Sequence, residues 1–362
     1  GNEIEECELG ELVSLLEALS SENYQTNLKQ IIKPNNYLVS PFNDVDLFMN
    51  SKYFLAPIQN ERKKLFLSSP HKYFTVSGPA GSGKSLFIYD LAKTLYSENK
   101  NIKIIHCGYL NSGHETLNSL YGWDICMAHP NTIEDKESFS NLDVLFIDET
   151  QRLYNNQLRN LIEYSLEYDY KIVFSFDNFQ ILSNSDPARE NELYINNNLE
   201  NLVELRLNDK IRSNADINIF TKQIFNFQPN RKQVIKKVTI EYIIEDENVM
   251  NFIQALEEKD WVYIPFTRSR DNISYHRYCY HNDHLNSHRV IGQEFDKVVV
   301  ILDSSFYFDV NNISYRGDAY YLPRQMLYQN MTRAKEQLKI VIVNNFDLYK
   351  SLNRIAMGLD PQ

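Results

Sequence analysis

The stretch Gly78-Pro79-Ala80-Gly81-Ser82-Gly83-Lys84-Ser85 decides the fold. It matches the phosphate-binding pattern G-x-x-x-x-G-K-[ST] at every fixed position, so all eight residues are candidate ATP contacts. An aromatic and β-branched run, Tyr73–Ser77, precedes it and predicts a strand, while residues 86–96 follow with helical spacing. In this context, backbone N–H groups and a helix N-terminus close around phosphate oxygens. We therefore expect Lys84 to reach the β- and γ-phosphates and Ser85 to bind Mg²⁺.

A second motif in the first half supplies adjacent carboxylates. The apolar run of residues 142–147 ends in Asp148-Glu149-Thr150-Gln151. An apolar strand that ends in two carboxylates is what a phosphate-loop ATPase needs to bind Mg²⁺ and to activate water. We expect Asp148 to be the Mg²⁺ ligand and Glu149 to polarise the attacking water.

The pattern of the whole chain predicts an α/β protein with two tandem domains. Apolar runs at residues 102–106 and 171–175 alternate with helical segments, which is typical of a doubly wound parallel sheet. The second half has the same alternation without a phosphate loop. A chain of 362 residues is also long for one compact core. We expect an acidic helical segment at residues 1–48, a first domain at 49–207 and a second at 208–362.

The charge balance limits the classes of function. Lys and Arg number 37 against 48 Asp and Glu, which gives a net charge of −11 at pH 7. The chain thus lacks the global basic footprint of tight nonspecific nucleic-acid binding, although a local basic groove stays compatible with it. It has no apolar run long enough to cross a bilayer and no signal-peptide pattern, so we expect no membrane partner. Its four cysteines show no paired spacing, which favours a reducing, cytoplasmic compartment.

Three other features are candidates for binding. Gln59 lies upstream of the phosphate loop, where its amide could pair with adenine, although an ordinary surface glutamine explains it as well. The absence of an Asn-Lys-x-Asp guanine signature favours ATP.

Residues 107–114 and 267–270 carry polar, basic and aromatic groups suited to phosphate contact and base stacking, and they are the predicted track for a single strand. Residues 1–25 predict an amphipathic helix that is either solvated or docks a partner protein.

A histidine-rich stretch in the second half is a candidate metal site. His276, Cys279, His281, His284 and His288 carry imidazole and thiolate groups, which zinc prefers. No second cysteine pairs with Cys279, and the surroundings are rich in Tyr and Asn. We therefore expect an exposed insertion there rather than zinc.

Three stretches of the second half indicate a family when they are taken in order with three motifs of the first half. They are Lys210-Ile211-Arg212-Ser213-Asn214, Gly292-Gln293-Glu294-Phe295-Asp296 and Asn330-Met331-Thr332-Arg333-Ala334. They follow the phosphate loop, the Asp148-Glu149-Thr150-Gln151 motif and residues 175–180. With these six motifs in order, the sequence resembles superfamily 1 helicases, and more closely the Schlafen group 3-like DNA/RNA helicase domain, over residues 54–352.

The resemblance implies two RecA-like domains that bind ATP in the cleft between them. It implies that Gln180 senses the γ-phosphate, that Gln151 contacts the nucleotide and that Glu294 is placed for the ribose. It also implies that Arg212 is a γ-phosphate arginine and Arg333 the arginine finger, which stabilise the developing charge when the cleft closes.

The sequence departs from a full helicase in three respects, one of which is the acidic net charge, which argues against a processive, tightly binding motor. Ser175-Phe176-Asp177 stands where the family usually has a glycine before the aspartate. The short spacings from Lys84 to Asp148 and from Arg212 to Glu294 leave no room for large accessory domains. We therefore expect a nucleic-acid-dependent ATPase that uses ATP and Mg²⁺ and translocates on, or remodels, single-stranded DNA or RNA. The alternative is a regulatory ATP-binding switch that controls a partner protein or an effector domain.

Overall fold

The computed structural model describes most of the chain. The described residues are 40–78, 81–176, 188–207, 214–226, 232–269, 273–279, 285–309 and 312–361, with backbone alone at 188 and 189. Among these residues, no helix combines the length and apolar character that crossing a bilayer requires.

Six parallel strands form the first sheet. They are β1 (Tyr73–Ser77), β2 (Ile102–His106), β3 (Ile125–Met127), β4 (Val144–Asp148), β5 (Lys171–Phe176) and β6 (Val203–Arg206). Their spatial order is β3-β2-β4-β5-β1-β6. Alternate residues of one strand belong to different cores: Val144 and Phe146 pack on one face, and Leu145 and Ile147 pack on the other. Both faces are therefore buried, as a parallel sheet requires.

Helices cover both faces of this sheet. In chain order they are α1 (Val45–Met49), α2 (Pro57–Ser68), α3 (Lys84–Ser97), α4 (Ser112–Tyr121), α5 (Pro130–Glu134), α6 (Asn155–Tyr168) and α7 (Ala188–Asn198). Phe87 and Leu91 of α3 pack on one face of the sheet, and Leu158 and Leu161 of α6 pack on the other. This is the predicted doubly wound arrangement.

The second half forms a four-stranded parallel sheet. Its elements are α8 (Ala215–Ile224), β7 (Val238–Ile243), α9 (Asp246–Glu257), β8 (Val262–Tyr263), β9 (Phe295–Leu302), α10 (Pro323–Met331), β12 (Ala334–Val343) and α11 (Phe346–Ala356). The strand order is β7-β12-β9-β8. A separate antiparallel hairpin pairs β10 (Phe306–Asp309) with β11 (Asn312–Tyr315). Two RecA-like α/β units therefore lie in tandem, and this prediction is confirmed.

The sequence pattern did not predict some of the strands. Strand β3 has only three residues, β6 is half polar, and the strands of the β10–β11 hairpin have four residues each. Helix α6 begins at Asn155 rather than directly after β4, because a 3₁₀ turn over Thr150–Arg152 comes first. Short or mixed runs carry too little periodicity to be recognised.

Residues 40–48, which the sequence assigned to the N-terminal segment, pack against the first unit. Phe42, Val45 and Phe48 are buried in the core shared with α3. The remainder of the expected N-terminal segment, including residues 1–25, lies outside the described residues.

Candidate active site

The phosphate loop joins β1 to α3 in the expected way. Gly81 and Gly83 have φ angles of 78° and 80°, in the left-handed region that glycine adopts without strain. Gly83 directly precedes the first residue of α3, Lys84, whose Nζ donates to the Gly78 carbonyl at 2.8 Å. This hydrogen bond joins the end of the loop to its first residue. Pro79 and Ala80 lie outside the described residues.

Gln59 supports the back of this loop. Its buried amide nitrogen donates to the carbonyls of Ser82 and Gly83 at 3.3 and 3.4 Å, and its Oε1 accepts from the Ala56 N–H at 2.9 Å. Both ends of the amide therefore contact protein. Pairing with adenine, the role expected from the sequence, would require the amide to leave these partners, and it stays a prediction.

Asp148 ends β4 as a buried carboxylate. It is 1% exposed, and neither of its oxygens accepts a hydrogen bond within the described part of the chain. His106, its register partner on β2, places Nδ1 3.4 Å from Oδ2. A buried carboxylate without donors is costly unless a cation compensates it.

The residues present therefore fit Mg²⁺. This ion takes oxygen ligands and is bound through one or two carboxylates together with substrate phosphates. Asp148 supplies the carboxylate, and Ser85 supplies a hydroxyl on the first turn of α3. The fully buried Ser82 adds an Oγ that has no hydrogen-bond partner among the described residues.

Glu149 is held in an unusual conformation. Its φ of 60° is left-handed, which is uncommon for a residue with a side chain and typical of strained functional positions. The nearly buried carboxylate accepts from Gln151 Nε2 at 2.6 Å and lies 3.9 Å from Arg152 Nε. Gln151, expected to contact the nucleotide, thus contacts the neighbouring carboxylate.

Glu294 and Arg333 lie together in the second unit. Arg333 is buried and donates to the carbonyls of Gln329 and Gln293, both at 3.3 Å, while its own carbonyl accepts from Phe295 N–H at 2.9 Å. Glu294 is also buried. Gln180 and Arg212 lie outside the described residues.

Residues 40–43 form a short segment before α1 for which the sequence predicted no role. We call it the strap, because it contacts both units. Ser40 Oγ donates to the Gly292 carbonyl at 3.2 Å, and Asn43 exchanges two hydrogen bonds with the Glu294 backbone at 2.7 and 3.2 Å. The Phe42 ring lies 4.7 Å from the Tyr89 ring of α3. No periodicity or motif marks these residues in the sequence.

The predicted nucleic-acid track is only partly exposed. His114 is buried against Phe42 at 4.3 Å, and burial together with His106 holds the pKa of His114 well below its usual range. Arg268 donates to the carbonyl of Cys279 at 3.2 Å, inside the second unit. Some polar groups of both loops thus also serve the fold, Arg270 lies outside the described residues, and the track stays a prediction. Tyr109 stays exposed, and the Arg289 guanidinium lies 5.4 Å from its ring centroid.

The histidine-rich stretch is not an exposed insertion where the structure describes it. Tyr275, Tyr278 and Cys279 are buried. His276 Nε2 accepts from the Ser269 N–H at 3.0 Å, and His288 Nδ1 bonds Thr267 Oγ1 at 2.6 Å. Within the described residues, no three His, Cys, Asp or Glu side chains converge as a metal site. His281 and His284 lie outside the described residues.

Comparison with known proteins gives a family. No curated protein matches. Among solved structures, Pif1 helicase from Candida albicans is 14% identical, with a TM-score of 0.44 over 80% of this chain and 94% of that one. Unliganded Pif1 from Bacteroides sp gives 14% identity and 0.41 over 85% and 94%, and Bacteroides Pif1 bound to ssDNA gives 13% and 0.40 over 85% and 95%. A model of the viral superfamily 1 RNA helicase core domain matches residues 74–342, and the chain therefore belongs to this helicase core family.

Proposed function

We propose that this protein is a nucleic-acid-dependent ATPase that translocates on, or remodels, single-stranded DNA or RNA. The observation that carries the proposal is the pair Asp148 and Glu149 in a chain of the helicase core family. Asp148 is a buried carboxylate without a hydrogen-bond donor among the described residues, and the adjacent Glu149 carries its carboxylate on a left-handed, strained backbone. A phosphate loop that ends in Lys84 lies on the same sheet.

In the proposed reaction, residues 78–85 bind the phosphates of ATP, and Lys84 shifts from the Gly78 carbonyl to the β- and γ-phosphates. Mg²⁺, held by Ser85 and Asp148, would neutralise charge on the phosphates. Glu149 orients and polarises the attacking water. Gln151 Nε2 donates to one carboxylate oxygen, Oε2, and the carboxylate keeps further lone pairs with which it can accept from the water.

The second unit completes the reaction in this proposal. Arg333 and Arg212 stabilise the charge that develops on the γ-phosphoryl group, Gln180 senses that group, and Glu294 contacts the ribose. Because these residues meet ATP only when the two units close, hydrolysis and release become relative movement of the units. A strand bound across both units would then be gripped and moved.

Three finer assignments belong to the same proposal. We keep the closer relationship to the Schlafen group 3-like helicase domain, on the strength of the motifs quoted above. We also keep the division into domains at 49–207 and 208–362, with residues 40–48 added to the first. The cytoplasmic location is proposed from the cysteines, of which Cys107, Cys126 and Cys279 are free thiols in the described residues.

The test is steady-state ATP hydrolysis with and without single-stranded DNA and RNA, with Glu149→Gln as the blank. We expect strong stimulation by at least one polymer and no turnover in the blank. ATP hydrolysis that neither polymer stimulates would contradict the proposed action on single-stranded DNA or RNA. It would support the regulatory switch, in which the cleft senses ATP and controls a partner protein or an effector domain through the N-terminal residues.

A further inference from the structure

A buried histidine that the proposed reaction does not use lies beside Asp148. His106 ends β2 and Asp148 ends β4, and the two are register partners on neighbouring parallel strands. Side chains alternate between the two faces of a strand, so Asp148 shares a face with Phe146, and His106 shares that face with Ile104. This face packs against α3, the helix that begins at the phosphate loop. Both polar side chains therefore lie on the side of the sheet where ATP is expected.

The Asp148 carboxylate needs a defined orientation to bind Mg²⁺. This ion demands near-ideal octahedral geometry at about 2.0–2.1 Å, so a carboxylate that turns freely is a poor ligand. Neither oxygen of Asp148 accepts a hydrogen bond within the described residues. Formed hydrogen bonds of this part of the chain therefore do not decide which of the two oxygens faces the metal.

His106 distinguishes the two oxygens by its position. Its Nδ1 lies 3.4 Å from Asp148 Oδ2, just beyond the usual N–H···O length of about 2.7–3.2 Å. His106 is completely buried, and neither ring nitrogen has a hydrogen-bond partner among the described residues. A buried donor without an acceptor is costly, so a small turn that lets Oδ2 accept from Nδ1–H is favourable. Such hydrogen bonds are often long in an enzyme without its ligand and shorten when the ligand binds.

The surroundings of His106 limit the movement of its ring. The centroid of the His114 ring lies 4.7 Å from that of His106. Near the Nε2 atom lies Gly108, where an added Cβ would be only 2.8 Å from that nitrogen. Glycine at position 108 thus leaves the space that the ring occupies. Packed against His114 and Gly108, the ring has little room to turn away from Asp148.

We infer that His106 is a positioning residue for Mg²⁺, which holds Oδ2 of Asp148 through Nδ1–H and leaves Oδ1 for the metal. The inference rests on the function proposed above, because Asp148 is the Mg²⁺ ligand of that proposal. Residues that hydrogen-bond a metal ligand typically contribute about 10- to 100-fold to metal affinity. His106 acts through Asp148 and needs no contact with the nucleotide.

The test measures metal binding without turnover. A fluorescent, non-hydrolysable ATP analogue is titrated into the protein in EDTA and at rising Mg²⁺ concentrations, in the absence of nucleic acid. We expect Mg²⁺ to tighten binding of the analogue by wild type. In His106→Leu, which removes the donor but fills similar space, the Mg²⁺ concentration for half of this effect should rise about 10- to 100-fold. Affinity in EDTA should stay close to wild type, because His106 acts only through Asp148 and the metal.

His106→Asn is the conservative variant. Its Nδ2 lies near the place of the histidine Nδ1 and also donates, so the Mg²⁺ requirement should return most of the way to that of wild type. His288→Leu removes a histidine whose ring bonds Thr267 rather than Asp148. It is the matched control and should leave the Mg²⁺ requirement unchanged.

Gly108→Ala tests the same inference with His106 and Asp148 both present. The added Cβ displaces the His106 ring, so this variant should also raise the Mg²⁺ requirement. In the His106→Asn background, which has no ring at this place, Gly108→Ala should have a much smaller effect. This second variant keeps the test decisive if His106→Leu does not fold.

The outcomes separate this inference from the proposed function. His106→Leu and Gly108→Ala proteins that need no more Mg²⁺ than wild type would overturn the positioning role and leave the ATPase proposal standing. So would a His106→Asn protein that needs as much Mg²⁺ as His106→Leu. An affinity of wild type that Mg²⁺ does not change would mean that the protein adds nothing to metal binding, and the inference would fall. A wild type that binds no analogue under any condition would overturn both proposals.

Discussion

At the scale of single residues, backbone carbonyls of the fold bind the side chain of Arg333, the predicted arginine finger. Its guanidinium is buried on the carbonyls of Gln329 and Gln293, next to Glu294. As an arginine finger it has to leave these acceptors for the γ-phosphate. The carbonyls set its resting position, and they are weaker partners than a phosphoryl group that gains charge.

For Arg333→Ala we expect ATP affinity close to wild type and a turnover rate lower by about 10³-fold or more, the scale of an arginine finger. Arg333→Lys keeps the charge but loses the planar fork, so it should recover only part of the rate. Separate measurement of ATP affinity and of turnover at saturating ATP checks this. Weaker binding with an unchanged rate would show that Arg333 does not meet the transition state.

At the scale of elements, the strap brings the two units into contact at Gly292. This glycine has a φ of 77°, and a Cβ added to it would lie 2.4 Å from the Phe42 ring. The ring has little freedom to move, because it is packed against Tyr89 and His114. Phe42 and Gly292 lie far apart in the sequence, so only the folded chain brings them into contact.

Gly292→Ala should therefore destabilise the protein by about 1–3 kcal/mol beyond the backbone cost alone, the range for overpacking a filled site. Gly317→Ala is the matched control. Its φ is also positive, at 109°, but an added Cβ would have Tyr315 no closer than 3.9 Å. Urea unfolding of both variants measures the difference. Equal losses would mean that the Phe42 contact does not resist a side chain at position 292.

At the scale of the whole molecule, the two units also meet at His288. This histidine belongs to the second unit, and its pKa is lowered to about 3 by burial and by Arg152 of the first unit. Between pH 6.5 and about 3, the unfolded chain binds a proton at this position and the folded chain does not. Stability should consequently fall as the pH drops through this window.

The expected loss from His288 is up to about 1.4 kcal/mol per pH unit within that window. His288→Asn removes the titrating group, so its free energy of unfolding should depend less steeply on pH between 6 and 4 than that of wild type. Urea unfolding at a series of pH values gives both slopes. Carboxylates and His114 titrate in both proteins, so only the difference between the slopes is informative. Identical slopes would contradict the neutral, buried state of His288.

The sequence by itself determined the parts that local chemistry specifies. A glycine loop between a strand and a helix, an apolar strand that ends in Asp148 and Glu149, and the alternation of strands and helices each lie within a few adjacent residues. Backbone geometry and side-chain period act over that range, so the two parallel sheets and the phosphate loop could be read directly.

The tertiary structure alone decided what those parts contact. It placed the Gln59 amide on the phosphate loop, buried His114 and bound the strap to Gly292 and Glu294. It also brought Tyr109, Tyr154 and His288 around one cavity. These contacts join residues far apart in the chain, and their free energy comes from packing and from the pairing of buried polar groups. Neither term exists until the chain has folded, so no local pattern records it.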